Sequence, residues 1–332
     1  MQCIYEQDFV GFSYGFRPGK SQHQALDALT VAIKGNKVNW VLDADVEGFF
    51  DAIDHEWLVK FLEHRIADPR ILRLIRKWLT AGVSEDGEWS ESTVGTPQGA
   101  VISPLLGNVF LHYVFDLWIQ WWREKRGNGN IVVVRYADDF VIGFERKGEA
   151  EACLDELRTR FAKFGLKLHD TKTRLIEFGR FAIERREERG EGKPETFDFL
   201  GFTHRCGKTR SHGWFTIHRE SIAKRMRAKL AEVKELLRRR RHWDIGSIGR
   251  WLSRVIQGWY NYHAIPGNMI RLQQIRDEIT KLWLSTLRRR SQRHRWTWSR
   301  MQRLVRRVLP TPKIIHPYPD QRFRDRLKAG AV

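Results

Sequence analysis

The stretch "VVVRYADDFVIGF", residues 132–144, limits the fold more than any other part of this chain. Two apolar runs, the first rich in β-branched residues, flank a short polar break. That is the pattern of two strands folding back on each other through a tight turn. The break carries adjacent carboxylates, Asp138 and Asp139. Aspartate is common in turns because its side chain bonds nearby backbone, so the pair has an ordinary reading as a solvated turn. It has a second reading, because like charges held together repel unless something positive sits beside them.

A partner for the turn lies upstream. "VLDADVEGFFD" (41–51) reads as a buried strand ending in acids, with Asp43, Asp45 and Glu47 at alternate positions on one face. Clustered carboxylates suit Mg²⁺, which takes one or two carboxylates together with substrate phosphates. Two such ions, about 3.5–4 Å apart, can stabilise both the attacking and the leaving oxygen of a phosphoryl displacement. One strand end cannot hold two ions, whereas two strand ends meeting in a sheet can. A third feature, "GTPQGAVISPLLGNV" (95–109), joins a glycine- and proline-bearing loop to a helix with Pro104 in its first turn. Its small residues would let a base pair or sugar approach the backbone, although an ordinary capped loop reads the same way.

The remaining periodicities divide the chain. Asp54 is placed to cap a helix over "HEWLVKFLEHRI", and "ILRLIRKWL" continues with helical spacing. Residues 82–92 read as a hairpin or loop, 103–125 as a buried helix, and 149–165 as an amphipathic helix ended by Gly165. "TRLIEFG" is another strand. Residues 184–195, "ERREERGEGKPE", read as a charged linker, and "FDFLGFTHR" with "WFTIH" as a small hairpin. Beyond Glu220 four apolar stripes predict a helical bundle: Ile222, Met226, Leu230, Val233 and Leu237; Ile248, Leu252, Val255 and Trp259; Leu272, Ile275, Ile279 and Leu282; Leu304, Val305 and Val308, stopped by Pro310. The fold class expected is therefore α+β in front and all-α behind.

Charge follows the same division. Residues 181–332 hold 36 Lys/Arg against 14 Asp/Glu, and residues 1–180 hold 23 against 26. A near-neutral front joined to a strongly basic back suggests chemistry in front and polyanion binding behind. Arginine runs at Arg238, Arg239, Arg240 and Arg241 and at Arg288, Arg289 and Arg290 sit among Trp243, Trp251, Trp259, Trp283, Trp296 and Trp298. Such interleaving suits RNA, through phosphate contacts and stacking on unpaired bases; Trp251 and Trp259 read as core. No apolar run of about 18 residues occurs, so no membrane span is expected. Cys3, Cys153 and Cys206 are odd in number and far apart, which fits free thiols in a reducing, cytoplasmic setting.

"YGFRPGKS", "DADVEGFFD", "GTPQGAVISPLLGNV", "YADDFVIG", "GLKLHDTKT" and "FDFLGF" occur in the order of the reverse-transcriptase blocks. The chain resembles a group II intron-encoded reverse transcriptase and maturase from about Tyr14 onward, and residues 238–268 resemble the maturase-specific segment. The resemblance implies a right-hand polymerase palm with partial fingers over 1–183, a linker and primer-grip hairpin over 184–219, and a basic helical thumb over 220–332. It implies Asp45, Asp138 and Asp139 as metal-binding and catalytic acids with two Mg²⁺ ions. Phe50 would be the gate that clashes with a ribose 2′-hydroxyl. Val46, Pro97, Gln98 and Gly99 would line the nucleotide pocket, Arg17 and Lys20 would hold the triphosphate, and Lys172 would act near the leaving pyrophosphate. Arg17 and Lys20 also read as plain surface cations, and Lys172 as a helix-end charge. The implied partners are group II intron RNA, a DNA primer or target and dNTPs, in a bacterial, nucleoid- or RNA-associated setting, with a homodimer among the expected assemblies.

The match departs from the family at both ends. Met1 falls shortly before Tyr14, where the family's chain normally begins well upstream, so shortened fingers are expected. No histidine- and cysteine-rich endonuclease module follows "HPYPDQRF", so target cleavage by such a module is not expected. The rival expectations are an RNA-binding maturase that does not polymerise and an RNA-copying polymerase, the latter opposed by Phe50.

Overall fold

The structure, a computed structural model, describes residues 1–80, 83–85, 88–90, 95–96, 101–209, 211–291 and 295–328. It divides into two compact units, one of Met1–Thr196 with Lys208–Thr216 and Phe323–Val332, the other of Phe197–Gly207 with Ile217–Arg322.

The first unit is built on a four-stranded antiparallel sheet. Its strands are β1 (Trp40–Ala44), β2 (Ile131–Tyr136), β3 (Asp139–Phe144) and β4 (Arg174–Glu177), in the spatial order β2-β3-β1-β4. β2 and β3 form the hairpin expected of residues 132–144, and β1 lies against β3 with Leu42 opposite Ile142 and Ala44 opposite Phe140. Helix α1 (Gln22–Gly35) begins at a capping box, in which Ser21 and Gln24 bond each other's backbone, and it packs on β2. Asp54 accepts from the Trp57 amide at 2.9 Å and so caps α2 (His55–Glu63), as expected. Helix α3 (Pro69–Thr80) follows. A short ribbon pairs Val83–Glu85 with Glu88–Ser90.

The predicted helix over 103–125 is not one regular rod. It is α4 (Ser103–Leu111), a π-helical turn (His112–Asp116) and α5 (Leu117–Lys125). Helix α6 (Lys147–Ala162) lies over β1, β3 and the π turn, and positive-φ Gly165 follows it. Phe110, Phe115, Phe140, Phe144, Phe161 and Trp122 fill the space between helices and sheet and are fully buried. Edge-to-face contacts order these rings, as between Trp122 and Phe144.

The second unit carries a three-stranded sheet of β5 (Phe197–Phe199), β6 (Phe202–Lys208) and β7 (Phe215–Ser221). It also holds helices α7 (Ala223–Arg239), α8 (Ile245–His263), α9 (Met269–Arg288) and α10 (Trp298–Val308). The four stripes find their helices, with shifts. On α8 the buried line is Ile248, Leu252, Ile256 and Tyr260, not Val255 and Trp259, which are half-buried. On α9, Trp283 is buried and Leu282 is at the margin. The expected linker is partly helical, since Ala182–Glu188 forms two turns. Among the described residues no helix is long and apolar enough to cross a membrane.

Candidate functional site

Register places the two acidic strand ends together. Tyr136 pairs with Asp139, leaving Ala137–Asp138 as a two-residue turn between β2 and β3. Ala137 has φ +57°, a conformation that such turns usually assign to glycine. The turn is overlaid by Gly15, where a Cβ would sit 2.2 Å from the Ala137 nitrogen, so no side chain fits there. β1 is paired to β3 as far as Ala44 opposite Phe140, and its next residue is Asp45. The strand thus delivers Asp45 to the same sheet end as Asp138, which is half-buried, and Asp139, which is exposed.

The two carboxylates at the centre feel each other. Burial holds the Asp138 carboxyl above the usual carboxylate range, a bond from its own backbone N–H pulls the other way, the Asp45 charge adds to the rise, and Arg135 opposes it. Asp45 is met by Lys172, whose Nζ lies 2.8 Å from its Oδ2. This is one rung of a ladder that sequence reading missed. Asp43 pairs with Arg174 at 3.3 Å and Glu47 with Lys167 at 3.4 Å, so each acid of the alternating face meets a cation from the 167–174 segment. Backbone bonds fix that segment, with His169 N donating to Asp45 O and Glu47 N to Lys167 O, both at 2.8 Å. Opposite charge on a facing segment is the signal, but it can be read only once the pairing is known.

The donor set fits a hard divalent cation. Its side chains offer carboxylate oxygen only, one carboxyl is desolvated, and an ammonium already sits on the other. Among the described residues no three His, Cys, Asp or Glu side chains are gathered closely enough to hold an ion by themselves.

Phe50 is half-buried and packs edge-on against Phe49, with ring centroids 5.1 Å apart. Both rings lean on Gly107 of α4, where a Cβ would come within 3.1 Å of each. Thr96 N donates to Phe50 O at 2.7 Å, which docks the start of the 95–109 segment on the Phe50 backbone. Pro97, Gln98 and Gly99 lie outside the described residues. Val46 is buried and bridges Leu168. The Lys20 Nζ lies 5.6 Å from the centre of the Tyr14 ring. Arg17, expected at a triphosphate, has other partners. Its side chain is 6% exposed, and its guanidinium bonds Glu6 at 2.7 Å and the Val10 and Ser13 carbonyls at 2.7 Å each. It holds the N-terminal loop together in this structure.

In the second unit, "FDFLGF" forms β5, a Leu200–Gly201 turn with both φ values positive, and the start of β6. Tyr262 of α8 donates to Leu200 O at 2.7 Å and clamps that turn. Arg238, Arg239, Arg288 and Arg289 are exposed. Arg240 instead stacks on Trp243 and Trp251, at 4.9 and 4.3 Å from their ring centres, and Arg290 donates to Trp243 O at 2.6 Å. Those two arginines, with half-buried Arg241, belong to the packing of the bundle as much as to its surface.

The Asp138 environment makes a stability prediction. Its carboxyl is harder to ionise in the folded chain than in the unfolded one, so the unfolded chain releases that proton first. Stability contributed by this group is complete below the unfolded pKa and is lost as pH rises through the folded one. Without added divalent cation, Asp138→Asn should therefore raise the melting temperature at pH 7 by a few degrees, on the order of 2–4 °C. The gain should shrink as pH falls below the carboxylate range. Scanning calorimetry of both proteins at several pH values checks this, and a variant less stable at every pH would overturn it.

Residues 1–204 match the sequence profile of the family described as reverse transcriptase (RNA-dependent DNA polymerase). The chain is 38% identical over 129 residues to the group II intron-encoded protein LtrA of Lactococcus lactis subsp. cremoris, covering 38% of this chain and 21% of that protein. It is 41% identical over 112 residues to an uncharacterized 91 kDa protein in the cob intron of Schizosaccharomyces pombe, covering 34% and 14%. It is 30% identical over 228 residues to protein YkfC of Escherichia coli, covering 58% and 60%. The aligned region thus spans less than two thirds of each of these relatives. In fold, apo telomerase from Candida tropicalis aligns with 99% of this chain and 52% of its own at a TM-score of 0.51 and 12% identity. With 204 of its 332 residues matched to that one family, the chain belongs to the reverse transcriptase (RNA-dependent DNA polymerase) family.

Proposed function

We propose that this chain is an RNA-directed DNA polymerase that also binds group II intron RNA and assists its splicing. The observation that carries the reading is the register of β1 against β3, which brings Asp45 to the Ala137–Asp138 turn in one antiparallel sheet. Asp45 and Asp138, with Asp139 beside them, are the residues that would hold two Mg²⁺ ions, whose bound charge offsets that of the transferred phosphoryl oxygens.

The reaction is nucleotidyl transfer. The primer 3′-oxygen forms a bond to the α-phosphorus of a dNTP, the bond to the β-phosphate oxygen breaks, pyrophosphate leaves with that electron pair, and the hydroxyl proton passes to solvent. The packing of Phe50 on Phe49 and against Gly107 of α4 supports its reading as the gate that clashes with a ribose 2′-hydroxyl. Lys172 keeps its positive charge, since its bond to Asp45 raises its pKa, and it offers that charge to the leaving pyrophosphate. The exposed arginines at Arg238, Arg239, Arg288 and Arg289 supply phosphate contacts for the RNA.

Primer extension tests the reading. The purified chain, given an RNA template, a DNA primer, dNTPs and Mg²⁺, should extend the primer and reject rNTPs. Phe50→Val should raise rNTP use relative to dNTP by about 10–200-fold, the range that small steric changes in a pocket allow. Equal use of both by the wild-type chain would remove Phe50 from the site. A second reading, an RNA-binding maturase without polymerisation, is favoured by the basic residues 181–332 and by the engagement of Arg17 with Glu6. Tight RNA binding with no extension under any condition would select it.

A further inference from the structure

Behind the Ala137–Asp138 turn lies a fully buried ion pair that the proposed chemistry does not use. Arg135 and Asp116 are both 0% exposed. Arg135 donates from Nε to Asp116 Oδ1 at 2.7 Å and from Nη2 to Oδ2 at 2.5 Å. Its remaining nitrogen, Nη1, donates to Asn108 Oδ1 at 3.0 Å and to the Ala137 carbonyl at 2.8 Å. Asn108 in turn donates to Gly15 O at 2.7 Å, and Gly15 is the residue that overlies the turn. The Arg135 backbone is held on both sides, its N donating to Phe12 O at 2.9 Å and its O accepting from Tyr14 N at 2.8 Å.

Four physical points give this arrangement a purpose. The Ala137 carbonyl shares a rigid peptide plane with the Asp138 nitrogen, so fixing that oxygen fixes where Asp138 begins. Ala137 stands at φ +57°, which a residue with a Cβ adopts only when its surroundings hold it there. A buried ion pair is seldom retained for stability, because apolar groups of equal volume often serve as well. Asp116 itself closes the π-helical turn His112–Asp116, the irregularity between α4 and α5. Such turns are frequent at functional sites.

We propose that Arg135, Asp116 and Asn108 are positioning residues that clamp the Ala137–Asp138 peptide and so aim the Asp138 carboxylate at the proposed site. This rests on the reading of Asp138 as an acid of the polymerase. The clamp uses both ends of a planar guanidinium, which a lysine cannot reproduce.

The test compares wild type with Arg135→Lys, alone and combined with Ala137→Gly, by hydrogen exchange and by primer extension. Arg135→Lys should melt cooperatively, with exchange at residues 136–140 faster by about tenfold while β4 is unchanged. Its kcat should fall by up to about 10²-fold with the KM for dNTP nearly constant, as expected when a reacting group is misplaced without loss of substrate contact. Glycine accepts positive φ without a clamp, so in the Ala137→Gly background the same lysine substitution should cost much less kcat. Wild-type exchange at 136–140 in Arg135→Lys, or exchange raised equally across the whole sheet, would overturn the proposal. If Arg135→Lys does not melt cooperatively, Asn108→Ser, which removes a single arm, decides by the same criteria. Failure of the wild-type chain to extend any primer would sink the polymerase reading, while the exchange comparison would still decide the clamp.

Discussion

Asp138→Asn is expected to lower primer extension by at least about 10³-fold, with RNA binding unchanged. The substitution keeps the shape of the side chain and the backbone of the turn. It removes a negative charge from a half-buried position beside Asp45, where burial and that neighbour already make ionisation difficult. An amide there would present one carbonyl oxygen in place of a carboxylate, too weak a donor for a hard cation. Asp45→Asn should be comparably damaging, and it also strips Lys172 of its partner. Asp139→Asn should cost less, because Asp139 starts β3 and is exposed. Steady-state kinetics across a Mg²⁺ titration measure all three. Retention of more than about a tenth of wild-type kcat by Asp138→Asn would remove this residue from the chemistry. Loss of activity with a gain in melting temperature is the combined signature to look for, since a merely misfolded variant would lose both.

The second large effect is on RNA affinity. If the basic helices of the second unit meet about six phosphates, binding should weaken by about 10²–10³-fold between 50 and 200 mM salt, through release of condensed counterions. Replacing Arg238 and Arg239 together by glutamine should flatten the slope of log affinity against log salt by about one to two. Both are exposed, and each bonds Glu235. Replacing Arg240 or Arg290 should act differently. These arginines pack on Trp251 and against the Trp243 carbonyl, so their loss should lower the melting temperature more than the salt slope. Filter-binding or anisotropy titrations at several salt concentrations separate the two classes. A salt slope near zero would mean that the basic surface is not where RNA binds.

Much of this was legible in the sequence. The β2–β3 hairpin follows from two apolar runs around a two-residue polar break, because few other structures satisfy a strand pair of that length. The Asp54 cap and Pro104 in the first turn of α4 follow from local backbone chemistry that tertiary context seldom overrides. The stripe on α8 was displaced by one residue because Trp259 and Tyr260 are both large and partly apolar. Spacing cannot say which of two neighbours faces inward. In the structure Tyr260 is buried and donates to Leu272 O at 3.4 Å, whereas Trp259 stacks on His263 at the margin. The helix at Ala182–Glu188 is not legible in the sequence, because a run of charges reads as solvated chain whether or not it is coiled.

Local sequence is enough to place the chemistry-bearing residues and their order: an acid at the end of β1, two acids in a tight turn, an aromatic five positions after Asp45, and a basic tail. Those are local facts, set by side-chain periodicity and turn preference over a few residues. Which of these groups meet depends on the packed chain. Lys172 lies 127 positions from Asp45 and bonds it, and Arg135 and Asp116 find each other through a π turn that no periodicity announces. Arg17 bonds Glu6 for the same reason. A buried charge takes whichever opposite charge or carbonyl the packed chain brings within reach, because leaving it unpaired costs more than any local preference can supply. That choice depends on strand register and helix phase together.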